Sequence, residues 1–176
     1  DKMMKPTGLE LDASVSDKGS QTVIPGVYPA HITNLRTHEY NGSYVFNTSV
    51  RIADEAKKMN VDGHDVGWMS GREYVSKGVW LNPNPAEGQG WKNKRYLEWF
   101  TNCGVDFESA DTDGNIKVDQ VEENDVLGKP VFAKLGKATY TDREGIEKQK
   151  VEVSAVLPWE DGKPLSEDEL GSDVPF

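Results

Sequence analysis

The chain has 176 residues, a mean hydropathy of −0.66 and 36% hydrophobic side chains, enough for one domain with extensions. No apolar run approaches the ~20 residues that a membrane-spanning helix needs. The first residues form no apolar signal segment, and a single cysteine, Cys103, excludes an internal disulfide and suits a reducing cytoplasm. The net charge of −10 is uneven: from Trp159 to Phe176 six acids accompany one base, a balance of −5, and residues 1–158 carry the other −5 over a much longer stretch. A local basic groove is compatible with that balance, because the field at a site follows the distribution of charge rather than its sum.

Residues 1–22 are polar, with few large apolar groups, and read as a flexible N-terminal arm. A first strand is expected from Val27 to Leu35, and Asn41-Gly42 favours the positive φ of a hairpin turn. The return strand, Tyr44 to Ile52, alternates: Tyr44, Phe46, Thr48, Val50 and Ile52 on one face, Val45, Asn47, Ser49 and Arg51 on the other. A polar insert, Ala53 to Gly71, precedes a third strand near Glu73 to Leu81 and a loop rich in Pro and Gly. Asn93 to Cys103 reads as a helix, with Asn93 as its cap and Gly104 past its end. Residues 105–125 read as an acidic loop. Two further strands follow, Val131 to Tyr140 and Lys148 to Leu157, the latter with Val151, Val153, Ala155 and Leu157 on one face. Three strands, a helix and two strands is the layout of a mainly β, five-stranded Greek-key barrel with insertions; a generic α+β sandwich is the alternative. The expected units are the arm (1–22), the barrel (23–158) and an acidic, disordered C-terminal tail (159–176).

Two stretches carry a family resemblance. Gly171-Ser172-Asp173-Val174-Pro175-Phe176 is similar to the acidic tip of bacterial single-stranded DNA-binding proteins, and its acidic run is sparser than theirs. The body resembles phage-encoded single-stranded DNA-binding proteins in Gly26-Val27-Tyr28, in Leu127-Gly128-Lys129-Pro130-Val131 and in the turn from Tyr140 to Gly145. The resemblance implies an OB-fold (oligonucleotide-binding) barrel in a bacterial host cytoplasm. It implies protection of single-stranded DNA during replication, recombination or repair. It also implies recruitment of replication and recombination proteins through Asp173, Val174, Pro175 and Phe176. The physics of the tail agrees: Phe176 buried in a partner's pocket contributes about 1.5–3 kcal/mol, and the acids steer it to basic surfaces.

Single strands are held by aromatic platforms for bases and by Lys or Arg for phosphates. In such barrels the face of strands 2 and 3 and the loops 1–2 and 4–5 present them. The candidates are Arg36 and Tyr40 on the first hairpin, Arg51 on strand 2, and Tyr74, Lys77 and Trp80 on strand 3. Trp91, Lys92, Lys94 and Arg95 precede or open the helix, and Lys137, Tyr140, Arg143 and Lys148 lie on the last hairpin. Trp80 and Tyr74 suit the core as well as a platform, whereas Trp99 and Phe100 suit packing. Ser109-x-Asp111-x-Asp113-Gly114 lacks the acid at the first position of a calcium loop and has Gln120 where a bidentate Glu is required. His31, His38, His64 and Cys103 show no metal-ligand spacing. No catalytic residue, metal or cofactor is expected. The rival readings are a protein–protein adaptor that binds no DNA and a metal-dependent nuclease.

Overall fold

The computed structural model describes residues 22–107 and 118–173. The expected N-terminal arm, apart from residue 22, the rejected calcium loop and the tip residues Val174 to Phe176 lie outside them. The architecture is mainly β. Strands β1 (Gly26–Tyr40), β2 (Ser43–Ile52), β5 (Glu73–Val75), β6 (Val79–Leu81), β7 (Pro130–Thr141) and β8 (Glu147–Pro158) form one antiparallel sheet. Its order is β5-β2-β1-β7-β8, with β6 beside β5 on β2. A small hairpin, β3 (Asn60–Val61) and β4 (His64–Asp65), lies in the insert. The helices are α1 (Lys94–Asn102), α2 (Glu123–Val126) and α3 (Glu167–Asp173).

The sheet is open rather than a closed barrel. Its two edges touch at one parallel bridge, Ser76 to Val153, where the Lys77 backbone N–H also donates to Val153 O at 3.3 Å. Beyond the bridge α1 fills the seam. Arg95 donates to Ser154 O at 3.3 Å and Asn102 to Val156 O at 3.0 Å, so side chains satisfy carbonyls of an edge strand. The inner face of the helix locks the core: Phe46, Tyr96 and Phe100 are fully buried, with ring centroids 5.1–5.5 Å apart. Trp99 is buried as well. The Tyr96 hydroxyl donates to Asp119 O and accepts from Val121 N–H, both at 2.8 Å, and its burial raises its pKa.

Local sequence explains the hairpin and the kinks. Asn41 and Gly42 sit at φ of 51° and 84°, the left-handed pair that a two-residue turn requires. The expected third strand is interrupted between β5 and β6. Ser76 fills the break, its Oγ accepting from Thr48 N–H at 2.8 Å and donating to Lys77 O at 2.9 Å. At Gly78 a Cβ would stand 2.6 Å from a Val45 methyl, so only glycine lets the chain pass. The last strand also departs from simple alternation. Lys134 pairs with Ala155 and Leu135 with Val153, leaving Ser154 as the extra residue of a bulge. Val153 and Val156 therefore face the core, while Leu157, expected on the face of Val153, is 43% exposed. Within the expected acidic loop 105–125, Glu122 and Asp125 form a reciprocal capping box that opens α2.

The segment after Pro158 differs from the expected disordered tail over residues 159–173. Trp159 packs on His31 (5.6 Å between centroids) and on Phe132 (5.4 Å). A His31 ring nitrogen donates to Lys163 O at 2.8 Å, and Leu165 N–H donates to Gly128 O at 2.9 Å. Ser166 and Glu169 then cap each other's backbone, 3.0 and 3.2 Å, and start α3. The segment lies as a strap across the outside of β1 and β7. A cavity of about 440 Å³ between strap and sheet is lined by His31, Arg51, Asp54, Lys163, Leu165 and Glu169 among others.

Cys103, at the end of α1, is buried, and desolvation pushes its thiol up to about 12 from an ordinary 9. An unfolded chain loses this proton above about pH 9 while the folded one keeps it, so rising pH favours unfolding. Tyr96 acts in the same direction. Stability measured by denaturant titration should fall between about pH 9 and 12, and Cys103→Ala should reduce the slope by up to about 1.4 kcal/mol per pH unit. An unchanged slope in the variant contradicts this account.

Candidate nucleic-acid interface

Register defines the outer face of the sheet. Phe46, Thr48 and Val50 point into the core, so Val45, Asn47 and Ser49 point out. Their cross-strand partners share that side. Arg36 pairs with Asn47, His38 with Val45, Trp80 with Val45, and Val75 with Ser49. Tyr40 follows His38 by two residues. It closes on Trp80, with ring centroids 5.7 Å apart and planes tilted by 46°. Both rings are open to solvent, Tyr40 at 55% and Trp80 at 51% exposed. That settles the choice left open for Trp80: it is on the surface.

A second tryptophan is brought to the same end of the sheet by an unusual tie. Asn93 is buried, and its amide accepts from Asn82 N–H and donates to Asn82 O, both at 2.8 Å. It therefore acts as a one-residue strand partner instead of the expected helix cap; its side chain makes no capping bond. Trp80 and Trp91 each stand two residues from this clamp. Trp91 is 58% exposed, with the Lys92 ammonium 5.8 Å from its ring centre. Lys92 and Lys94 are exposed. Arg95 is turned back onto Trp99 (5.9 Å) and Ser154 O, so it serves the seam.

The last hairpin carries a third group. Tyr140 pairs with Lys148 and Ala138 with Lys150, and the Lys150 ammonium lies 5.8 Å from the Tyr140 ring centre. Lys148 pairs with Asp142 at 3.2 Å and Lys150 with Glu152 at 3.8 Å. Asp142 also accepts from the Glu144 and Ile146 N–H groups at 2.9 Å each. These backbone donors, Ile146 foremost, hold its carboxyl below the usual carboxylate range. Arg143 is exposed in the turn. Lys137 pairs with Val151, on the opposite side of the hairpin from Tyr140.

Two expected contacts are corrected. Arg51 is buried, its Nε 3.6 Å from Glu73, on the wall of the cavity under the strap. Tyr74 pairs with Val50 and packs against the core, and desolvation raises its pKa. Its side follows from the break at Ser76–Gly78: without it Tyr74 and Trp80 would share a face. Lys77 is half-buried in that break. Lys150 was missed, although its spacing of two from Lys148 in a strand placed both on one side. Of the tip, Asp173 ends α3.

Among the described residues no group of three or more His, Cys, Asp or Glu is arranged to hold a metal ion, and no helix is long and apolar enough to cross a membrane. No family model, curated protein or solved structure matches the chain.

The clamp is testable. Asn93→Asp puts a carboxylate against Asn82 O and removes a buried donor, so it should cost about 1–3 kcal/mol of stability by chemical denaturation. An equally stable variant contradicts the clamp.

Proposed function

We propose that the chain binds single-stranded DNA without sequence preference and protects it during replication, recombination or repair in a bacterial host cytoplasm. The observation that carries the reading is the solvent-exposed Tyr40–Trp80 pair on the outer face of β1, β2 and β6, with the exposed Trp91 tied to the end of β6 through Asn93 and Asn82. Two large rings in contact gain most by being buried, and here each keeps about half its surface in water. Arg36, Lys92 and Lys94 lie at the same end to meet phosphates, while the rings offer faces on which any base stacks.

The strand order supports an OB-type barrel. Reading β5 and β6 as one interrupted strand, strand 1 lies between strands 2 and 4. Strand 3 flanks strand 2, and strand 5 flanks strand 4 and meets strand 3 in parallel at Ser76–Val153. That is the order of the five-stranded Greek key, with its weakest joint between strands 3 and 5. Tyr40 and Trp80 fall on strands 1 and 3 of this scheme, the side on which such barrels present oligonucleotides.

The tip motif Asp173-Val174-Pro175-Phe176 supports recruitment of replication and recombination proteins, on its sequence alone. A protein–protein adaptor is the second reading, favoured by the same exposed rings, which also suit a protein surface.

Fluorescence titration with oligo-dT separates the first two readings. Stacking on Trp80 and Trp91 quenches tryptophan emission, and affinity falls as salt rises. Trp80→Ala should weaken binding by about 1–3 kcal/mol and leave the thermal midpoint nearly unmoved, because the ring is already half in water. Equal affinity for duplex DNA of the same length, or no quenching at any concentration, overturns the proposal.

A further inference from the structure

Resting on the reading above, we infer that a bound strand is held at two chemically different anchors, the Tyr40–Trp80 pair and the Tyr140–Lys150 pair, and that only oligomers long enough to span them engage both. Alternation places the anchors on one continuous surface. Leu135 and Val153 face the core, so their neighbours Gly136 and Glu152 face out. Counting on in pairs, Ala138, Tyr140, Lys150 and Lys148 share that outward side. It is the side of Trp80, Val75 and Val45 on the adjoining strands. Lys137 has the opposite parity and takes no part.

The same register sets the separation. The bridge Ser76–Val153 is parallel, so Trp80 lies four residues beyond it in one direction and Lys148 five residues beyond it in the other. At ~3.4 Å per residue the anchors stand roughly 30 Å apart along the strands. A strand keeping the stacked spacing of ~3.4 Å per nucleotide needs roughly nine nucleotides to cover that span, and fewer where its bases are splayed onto rings.

The anchors differ in what they offer. The first is two aromatic rings in contact with each other. The second is one ring, 42% exposed, with the Lys150 ammonium over it and Lys148 opposite. Both ammonium groups already have carboxylate partners; the lysine side chains are 52% and 56% exposed, the carboxylates 18% and 17%. A phosphate that engages either ammonium competes with that carboxylate, and both contacts are screened by salt. Binding at the second anchor therefore weakens as salt rises.

The test is a length series of oligo-dT, from about 4 to about 16 nucleotides, titrated at low and high salt. The expected result is a step of roughly 5- to 150-fold in affinity once the oligomer reaches the spanning length, and a smaller step at high salt. The double variant Tyr140→Ala, Lys150→Gln should lose the step, with short oligomers as the internal reference and a thermal melt to verify the fold. A smooth rise with length, or a step that survives in the double variant while short oligomers still bind, overturns the two-anchor inference alone. Absence of binding at every length overturns it together with the function on which it rests.

Discussion

The two edges of the sheet meet at one bridge, between Ser76 and Val153, and everything past that point depends on α1 filling the gap. A strand edge left open exposes a row of unpaired amides and carbonyls. Here the helix supplies donors to Ser154 and Val156 and drives Tyr96 and Phe100 onto Phe46. The helix thus does for the seam past the bridge what hydrogen bonds between strands do elsewhere. Its position in turn fixes the loop that enters it, and with that loop Trp91.

The candidate interface inherits this dependence. Trp80 sits on a three-residue strand that pairs only at its β2 side, which on its own is a weak mount for a ring. The amide of Asn93 ties the end of that strand to the start of the helix, so the surface carrying Trp80 and Trp91 is braced through the seam. A binding face built on strands rather than on a long loop suffers less loss of freedom when a ligand arrives. The half-exposed rings are therefore preorganised by elements whose own stability lies in the aromatic core beneath them.

Much of this was legible in the sequence. The alternation of β2, the Asn41-Gly42 turn, the helix before Gly104 and the two last strands all follow from local pattern, and local pattern holds where one face is uniformly buried. It fails where a single residue changes the phase. The break at Ser76–Gly78 sends Tyr74 inward and Trp80 outward, and the bulge at Ser154 turns Val156 into the core and Leu157 out. Neither Gly78 nor Ser154 announces itself as a phase change, because the cause lies across the sheet, at Val45 and Lys134. Arg51 was misplaced for another reason: its outward side is covered by a strap more than a hundred residues away in sequence. The Ser166–Glu169 box that starts α3 was in plain view, but the acidity around it read as a solvated tail.

That strap changes how the charge of the C-terminal region acts. Of its six acids, Glu160, Asp161, Glu167, Asp168 and Glu169 belong to the stretch docked against β1 and β7, and they travel with the domain as fixed charges. The arithmetic of a tethered ligand, in which a flexible leash sets an effective concentration, does not apply to them. Their charge is held by the folded domain, and Glu169 lines the cavity beside Arg51. In the proposed binding mode, like charge would disfavour phosphates beside that cavity.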